Sequence, residues 1–579
     1  MTQRITSPTT PWGLLPRRTW SVLMDVPIFA AGLALFYSIL VLARYWASPF
    51  SPEVHISNSP AALPGYALYS LLRIVVAYFL SLIFTLVYGY IAAYNSKAER
   101  FMIPLLDILQ SIPVLSFLPG VMLAMVSMFP RHQFGIELGA ILLIFTGQVW
   151  NMTFSFYSSL KSIPAEMHEA ARIYRFTDWQ RFTQMELPYA ALGLIWNSMM
   201  SVAGGWFFLM ACEMFVLGSR DFRLPGLGSY LQTAASAGDT HAILWGLVAM
   251  VGVIVLLDQL VWRPVIVWAQ KFKFEQVESA EAPRSPILTL LRRSKALRLL
   301  SQRITHPLGE RTALYFARRA TSVGAAPDPK IRIWILRAIG VVTAIGILLA
   351  LVDAVRLLGQ LTRPDFQALG LGVGATFLRV FCALAIAVAW TVPVGVKIGF
   401  NPRLARIAQP LAQIAASVPA TALFPVVLLV LIRVGGGLVV GSIVLLLLGT
   451  QWYVLFNVIA GAMAIPTDLK EATDIFRFGQ REKWQKLILP GIFPYLVTGL
   501  VTAAGGAWNA SIVAEYFHLN GQTISTVGLG ATISHATDSG NFTLLLAATI
   551  LMAAVVVTVN RTLWRPMYRL AETRFRLEG

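Results

Sequence analysis

The sequence predicts an all-α polytopic membrane protein built as a tandem duplication. Three observations carry that reading. Of 579 residues, 56% are hydrophobic and only 13% charged, with mean hydropathy +0.67, whereas soluble globular chains carry about 25% charged residues. Apolar runs of about 20 residues, enough to cross a bilayer, recur along the whole chain. A polar stretch, Ile163 to Pro188, returns as Ile465 to Pro490, with both ends displaced by the same 302 residues.

The apolar runs fall near 22–46, 68–94, 102–129, 137–160, 190–217 and 242–268, then near 333–358, 373–400, 408–432, 438–462, 493–517 and 541–562, giving about 12 candidate transmembrane helices. The first follows Arg17 and Arg18, is longer than a signal-peptide core and lacks a small-residue cleavage site, so it reads as a retained helix. The two cysteines, Cys212 and Cys382, lie within apolar runs and imply neither a disulfide framework nor a metal site.

A net charge of +18 would suggest nucleic acid in a soluble domain. Here the excess of Lys and Arg on one side of a membrane explains it, and no nucleic-acid partner is expected. Arg4, Arg17 and Arg18 place the N-terminus inside, and counting crossings puts the basic connections 95–100 and 401–406 inside too. Between the halves, residues 271–332 carry thirteen Lys or Arg against five acids. The expected organisation is therefore a first membrane module at 1–269, a basic cytoplasmic linker at 270–332 and a second module at 333–579. Within the linker, LLRRSKALRLLSQRI has amphipathic spacing suited to anionic membrane lipids, or is a solvated basic segment.

The duplication extends beyond the polar stretch. Leu72 and Arg73 match Leu378 and Arg379, and SIPVLSFLP at 111–119 matches SVPATALFP at 417–425, both at an offset of 306. Glu213 matches Glu515, the GLG of 226–228 matches that of 528–530, and Trp206 matches Trp508, at 302. The four-residue difference falls between Pro119 and Ile163, most simply in the loop around PRHQFG. Both halves enter the membrane in the same direction, so a pathway between them follows.

Each polar stretch reads as two short helices forming a docking knob, opened by Pro164 in the first copy. The stretch resembles the Glu-Ala-Ala loop of permease subunits of bacterial ATP-binding-cassette importers. Glu169, Ala170, Ala171, Leu187 and Pro188 carry the resemblance in the first half, and Glu471, Ala472, Leu489 and Pro490 in the second, with Thr473 replacing an alanine. Where the family motif has glycine, this chain has Arg175 and Arg477. Either the bend uses ordinary torsions, or Gly479 supplies it in the second half. The segments FTDW, GGW and GLG are similar to the nitrate, sulfonate and taurine permease group.

The resemblance implies two fused six-helix modules of the type I importer class in the bacterial cytoplasmic membrane, with both termini cytoplasmic. It implies a coupling helix in each polar stretch, seated in a groove of a partner ATPase. ATP and Mg would belong to two such subunits or a fused pair, because this chain has no G-x-x-x-x-G-K-[ST] loop; it would be no enzyme itself and would bind no cofactor. An external solute-binding protein would deliver a small anion of the nitrate, sulfonate or taurine kind.

Paired prolines place Ser111, Pro113, Ser417 and Pro419 at helix breaks near mid-membrane, with Trp206 and Trp508 at matching depth beside glycine pairs. These are the pathway candidates, against the alternative that Gly and Pro serve helix packing. Arg73, Glu213, Arg379 and Glu515 lie near outer helix ends, where ion pairing within each half competes with attraction of an anion. Two other readings remain open. A secondary transporter would need a coupling-ion group, for which Asp107 is the candidate, and a membrane scaffold would leave the repeated stretches unexplained.

Overall fold

Backbone polar groups in a bilayer find no water, so apolar runs satisfy them internally as helices. The computed structural model describes residues 55–130, 132–217, 220–272, 286–293, scattered positions between 299 and 349, and then 351–435, 437–519 and 522–574. The expected span 22–46, half of 333–358 and most of the basic linker lie outside the described residues, and 351–358 is helical.

The first repeat comprises α1 (Leu63–Tyr94), α2 (Ser96–Ser111), α3 (Leu118–Met128), α4 (Phe134–Lys161), α5 (Ala165–Ile173), α6 (Leu187–Glu213), α7 (Leu227–Ala237) and α8 (Thr240–Leu257). The second repeats the order as α9 (Arg363–Phe400), α10 (Pro402–Ser417), α11 (Ala420–Arg433), α12 (Gly437–Ala464), α13 (Thr467–Ile475), α14 (Leu489–Ala514), α15 (Leu529–Asp538) and α16 (Phe542–Val559). Eight helices among the described residues are long and apolar enough to cross a membrane, with two shorter apolar ones at Val114–Met128 and Ala420–Arg433. Among the described residues, strand is confined to antiparallel hairpins, β1 (Val216–Leu217) with β2 (Arg220–Asp221) and β3 (Tyr516–Leu519) with β4 (Gln522–Ser525).

The runs 102–129 and 408–432 are each divided. Ile112 and Val418 precede prolines and take extended torsions, φ −82 ψ 126 and φ −76 ψ 118. A following proline disfavours the helical region for the residue before it, so α2 and α10 stop one residue earlier. The basic connections are also tighter than expected. Asn95 and Asn401 each cap the next helix through a side-chain oxygen, 3.1 and 3.2 Å from two backbone nitrogens. The four-residue difference between repeats falls between α3 and α4, around PRHQFG, where the second repeat turns on Gly435 at φ +82 and Gly437 at φ +57.

The described residues form two units. The smaller holds Ser158–Trp196 and the described part of Leu256–Ile335, and the larger holds the rest. In the smaller unit, α5 is followed by a turn and then by Asp178–Arg181, which runs on into α6 instead of ending as a separate short helix. The physical reason is Pro188. It has no N–H to donate and its ring displaces the carbonyl four residues back, so Phe182–Glu186 widens into a π turn with Leu187 N–H donating to Phe182 O. The larger unit repeats this device at Trp484–Ile488 before Pro490.

The turns after α5 and α13 resolve the question of the missing glycine. Arg175 has φ 52 and Arg477 φ 50, whereas Gly479 has φ −65. Both arginines therefore adopt the left-handed conformation that glycine would favour, and neither ordinary torsions nor Gly479 makes the bend. In α5, Arg175 N–H donates to Arg172 O at 3.0 Å and Phe176 N–H to Ala171 O at 2.9 Å. In α13 the same pair runs from Arg477 to Asp474 O at 3.1 Å and from Phe478 to Thr473 O at 2.9 Å. This hydrogen-bond pair closes a helix C-terminus and compensates the left-handed residue. Replacing Arg175 or Arg477 by glycine is expected to stabilise the chain by up to about 1 kcal/mol, relief of Cβ strain less the added chain entropy. Alanine, which keeps the Cβ, should leave the detergent unfolding midpoint unchanged or lower; an equal gain with alanine would rule out the strain.

Candidate functional site

Each polar stretch presents most of the residues singled out in it on an accessible knob. In the first, Glu169, Ala170 and Arg175 are exposed, Ala171 is buried, and Leu187 and Pro188 are half-buried. In the second, Glu471, Arg477 and Leu489 are exposed, and Ala472 and Pro490 are half-buried. Thr473, in the place of Ala171, is buried with its hydroxyl donating to Lys470 O at 2.7 Å. At the tips, Ile173 and Tyr174 are 77% and 75% exposed, and Ile475 and Phe476 are 77% and 74% exposed. Two large apolar side chains thus project at the same place in both copies and are exposed among the described residues.

Elsewhere in the larger unit, the repeat builds a buried ion cluster twice. Glu213, at the end of α6, accepts from Arg73 Nη1 at 2.7 Å, from Ser70 Oγ at 2.7 Å and from Gly228 N–H at 2.7 Å. Ser70 Oγ in turn accepts from Leu227 N–H at 3.0 Å. The second cluster has the same plan. Thr376 and Arg379 donate to Glu515 at 2.7 and 2.9 Å, Gly530 N–H donates at 2.9 Å, and Leu529 N–H donates to Thr376 Oγ1 at 2.8 Å. The carboxylates thus sit at the N-termini of α7 and α15, where unsatisfied N–H groups favour negative charge.

The GLG motifs make room for these carboxylates. A Cβ on Gly226 or on Gly528 would overlap the carboxyl group of Glu213 or Glu515. The clusters differ in one respect. Arg73 also makes a bidentate pair with Glu137, 2.7 Å from Nε and 2.6 Å from Nη2, while Arg379 gives its Nη2 to Thr526 Oγ1 at 2.8 Å. Arg73, Glu137 and Glu213 are fully buried, and Arg379 is 8% exposed.

Helix breaks bring the two repeats together. Beyond Pro113, Leu115 N–H donates to Asn509 Oδ1 at 3.4 Å, and Thr549 Oγ1 donates to Ser116 O at 3.0 Å. Pro113 and Pro419 are buried, and the side chains of Ser111, Ser417 and Asp107 lie outside the described residues. A cavity of about 420 Å³ is lined by Leu115 and Pro119, by Arg223, and by Tyr516, His518 and Asp538 of the second repeat, among others. On its polar side, Tyr516 donates to Asp538 Oδ2 at 2.7 Å, and His518 Nε2 lies 3.2 Å from the same oxygen. Burial first, and the Asp538 carboxylate second, push the Tyr516 phenol up. Trp206 and Trp508 are each 1% exposed, and neither lines this cavity.

Two stretches, residues 85–261 and 383–576, match the family described as binding-protein-dependent transport system inner membrane component, and together they cover more than half of the chain. The chain belongs to this family. Each repeat contributes one match, so the permease is a tandem fusion of two modules. It is 23% identical over 195 residues to the nitrate import permease protein NrtB of Synechocystis sp., covering 34% of this chain and 67% of that protein. It is 27% identical over 187 residues to the bicarbonate transport system permease protein CmpB of Synechococcus elongatus, covering 32% and 64%. It is 28% identical over 185 residues to the taurine transport system permease protein TauC of Escherichia coli, covering 32% and 62%. The chain thus spans about two thirds of the length of the curated relatives it matches.

Sequence reasoning missed Glu137, Ser70, Thr376 and Asn509. Ser70 and Thr376 were within reach, because they stand at the same 306 offset as Arg73 and Arg379. Glu137 was not, since the second repeat has the exposed Val439 in its register. Gly528→Ala should expel the Glu515 carboxylate and leave the buried Arg379 uncompensated, a loss of about 3–5 kcal/mol, whereas Gly226→Ala should cost less, because Arg73 keeps its bidentate pair with Glu137. Gly505→Ala, where an added Cβ meets nothing within 4 Å, should be close to neutral. The yield of folded monomer and its unfolding midpoint compare the three.

Proposed function

We propose that this chain is the permease component of an ATP-driven importer, with fused modules at 1–269 and 333–579 joined by a basic linker at 270–332. It alternates between outward-open and inward-open states in the bacterial inner membrane, with both termini and both coupling elements cytoplasmic. The observation that carries this reading is the repeated polar stretch itself: two family-matched modules each present the same helix, the same left-handed arginine turn and the same exposed apolar tip. Two ATPase subunits, or a fused pair, cover these tips and hold the ATP and Mg, while this chain is not an enzyme and binds no cofactor. Their closure pulls the two elements together, and α6 and α14, continuous with the elements through the π turns, carry the movement into the membrane.

The proposed cargo is a small anion of the nitrate, bicarbonate or taurine kind named for the relatives, delivered by an external solute-binding protein. Arg223 and the polar groups of the cavity between the repeats provide its station. Pro113 and Pro419, with Ser111 and Ser417, allow the neighbouring helices to break there, and Trp206 and Trp508 wedge the pathway walls. Arg73, Glu213, Arg379 and Glu515 hold each module rigid, since donors on both arginines are already engaged by their own module.

Reconstitution with the cognate ATPase tests this. Replacing Ile173 and Tyr174, or Ile475 and Phe476, by serine should weaken association with the ATPase by at least tenfold, because each lost apolar contact is worth about 1.5–3 kcal/mol. Glu169→Ala with Glu471→Ala should leave ATP turnover but uncouple it from uptake. Uptake that persists without any ATPase would sink the importer reading.

A further inference from the structure

A second cavity, of about 320 Å³, lies under α13, between that helix, the last turns of α9 and the start of the segment leading to α14. Its walls combine Phe400, Trp484 and Leu487 with three lysines, Lys397, Lys470 and Lys483. One carboxylate, Asp474, also lines it and is engaged by Lys483. Lys470 Nζ lies 4.5 Å from the centre of the Phe400 ring and 3.4 Å from Ala462 O. Among the described residues no acid pairs with Lys470 or with Lys397. Burial without a carboxylate pushes the Lys470 ammonium down from its ordinary pKa, the condition that an arriving anion relieves.

Three lysines against one aspartate leave a surplus of positive charge, and Gln480 and Trp484 add neutral N–H donors around the same space. An anion with several acceptor oxygens satisfies such a set better than a monatomic ion does. The apolar wall continues from α9, a membrane-crossing helix that ends at Phe400, and basic pockets where helices leave the bilayer suit lipid headgroups. We propose that this cavity binds a phosphate group, either the headgroup of an anionic lipid or inorganic phosphate. At the corresponding positions the first repeat has Ile91, His168 and Arg181 in place of the three lysines. The site therefore belongs to the second repeat, and its ligand bridges α13 to α9, stiffening one coupling element and not the other.

The test uses the purified full chain in phosphatidylcholine nanodiscs, with phosphatidylglycerol added in one arm and inorganic phosphate in the other, at constant ionic strength. Lysine acetylation read by mass spectrometry reports each position. Phosphatidylglycerol should lower labelling of Lys397 and Lys470 several-fold while the exposed Lys97 changes little, which identifies a lipid headgroup. Protection by inorganic phosphate alone identifies the free anion. Unchanged labelling in both arms, or protection of Lys97 to the same degree, would overturn the site. As a second measure, Lys397→Gln with Lys470→Gln should abolish the ligand-dependent rise in unfolding midpoint that Arg569→Gln retains; a rise retained by the double variant would also overturn it.

Discussion

A carboxylate held without water at the end of a membrane-crossing helix constrains most of what surrounds it. Even after relaxation, taking such an ion out of water costs several kcal/mol, which only complete hydrogen bonding and an opposite charge offset. Glu213 and Glu515 obtain both, from an arginine and a hydroxyl on α1 or α9 and from N–H groups at the start of a short helix. The chain must therefore turn back after each carboxylate, through β1–β2 or β3–β4, to aim that helix N-terminus at the ion it has just left behind. Leu224 N–H and Thr526 N–H, each donating to the carbonyl of its own glutamate at 3.1 and 3.0 Å, fasten that return. Glycine at 226 and 528 follows from the same constraint, since any side chain would occupy the space of the carboxyl group.

What the sequence made legible is what repeats. Matched offsets located Arg73 with Arg379, Glu213 with Glu515 and the two GLG segments before any geometry was known, because a constraint met twice leaves two copies. The helix breaks at Pro113 and Pro419 were legible for a local reason, the restriction proline places on its predecessor. The arginine turns were not. Residue type argues against positive φ at Arg175 and Arg477, and only the hydrogen bonds of the helix C-terminus compensate it. Nor were the π turns, which arise when a membrane helix continues through a proline that a local reading takes as its start.

Repetition also conceals what has diverged. Glu137 has no partner in the second repeat, so the first cluster holds two carboxylates on one guanidinium and the second holds one, with Thr526 completing the arginine. The bidentate pair with Glu137 ties α4 to α1, whereas the equivalent position on α12 is the exposed Val439.

Of the two polar stretches, the first stores an ion pair between Arg181 and the buried Glu186 at 2.8 Å, and the second replaces that glutamate by Ile488 and turns its lysines toward a cavity. Two separate copies of one module could not differ in this way, because identical chains carry identical residues. Fusion removes that restriction, so each half can specialise while backbone geometry at the arginine turn stays the same to within a few degrees, φ 52 against φ 50. Shape at the arginine turn is thus shared between the halves while the charge that anchors it has changed. That combination follows when the hydrogen bonds closing each helix C-terminus fix the turn and each half's own neighbours set its support.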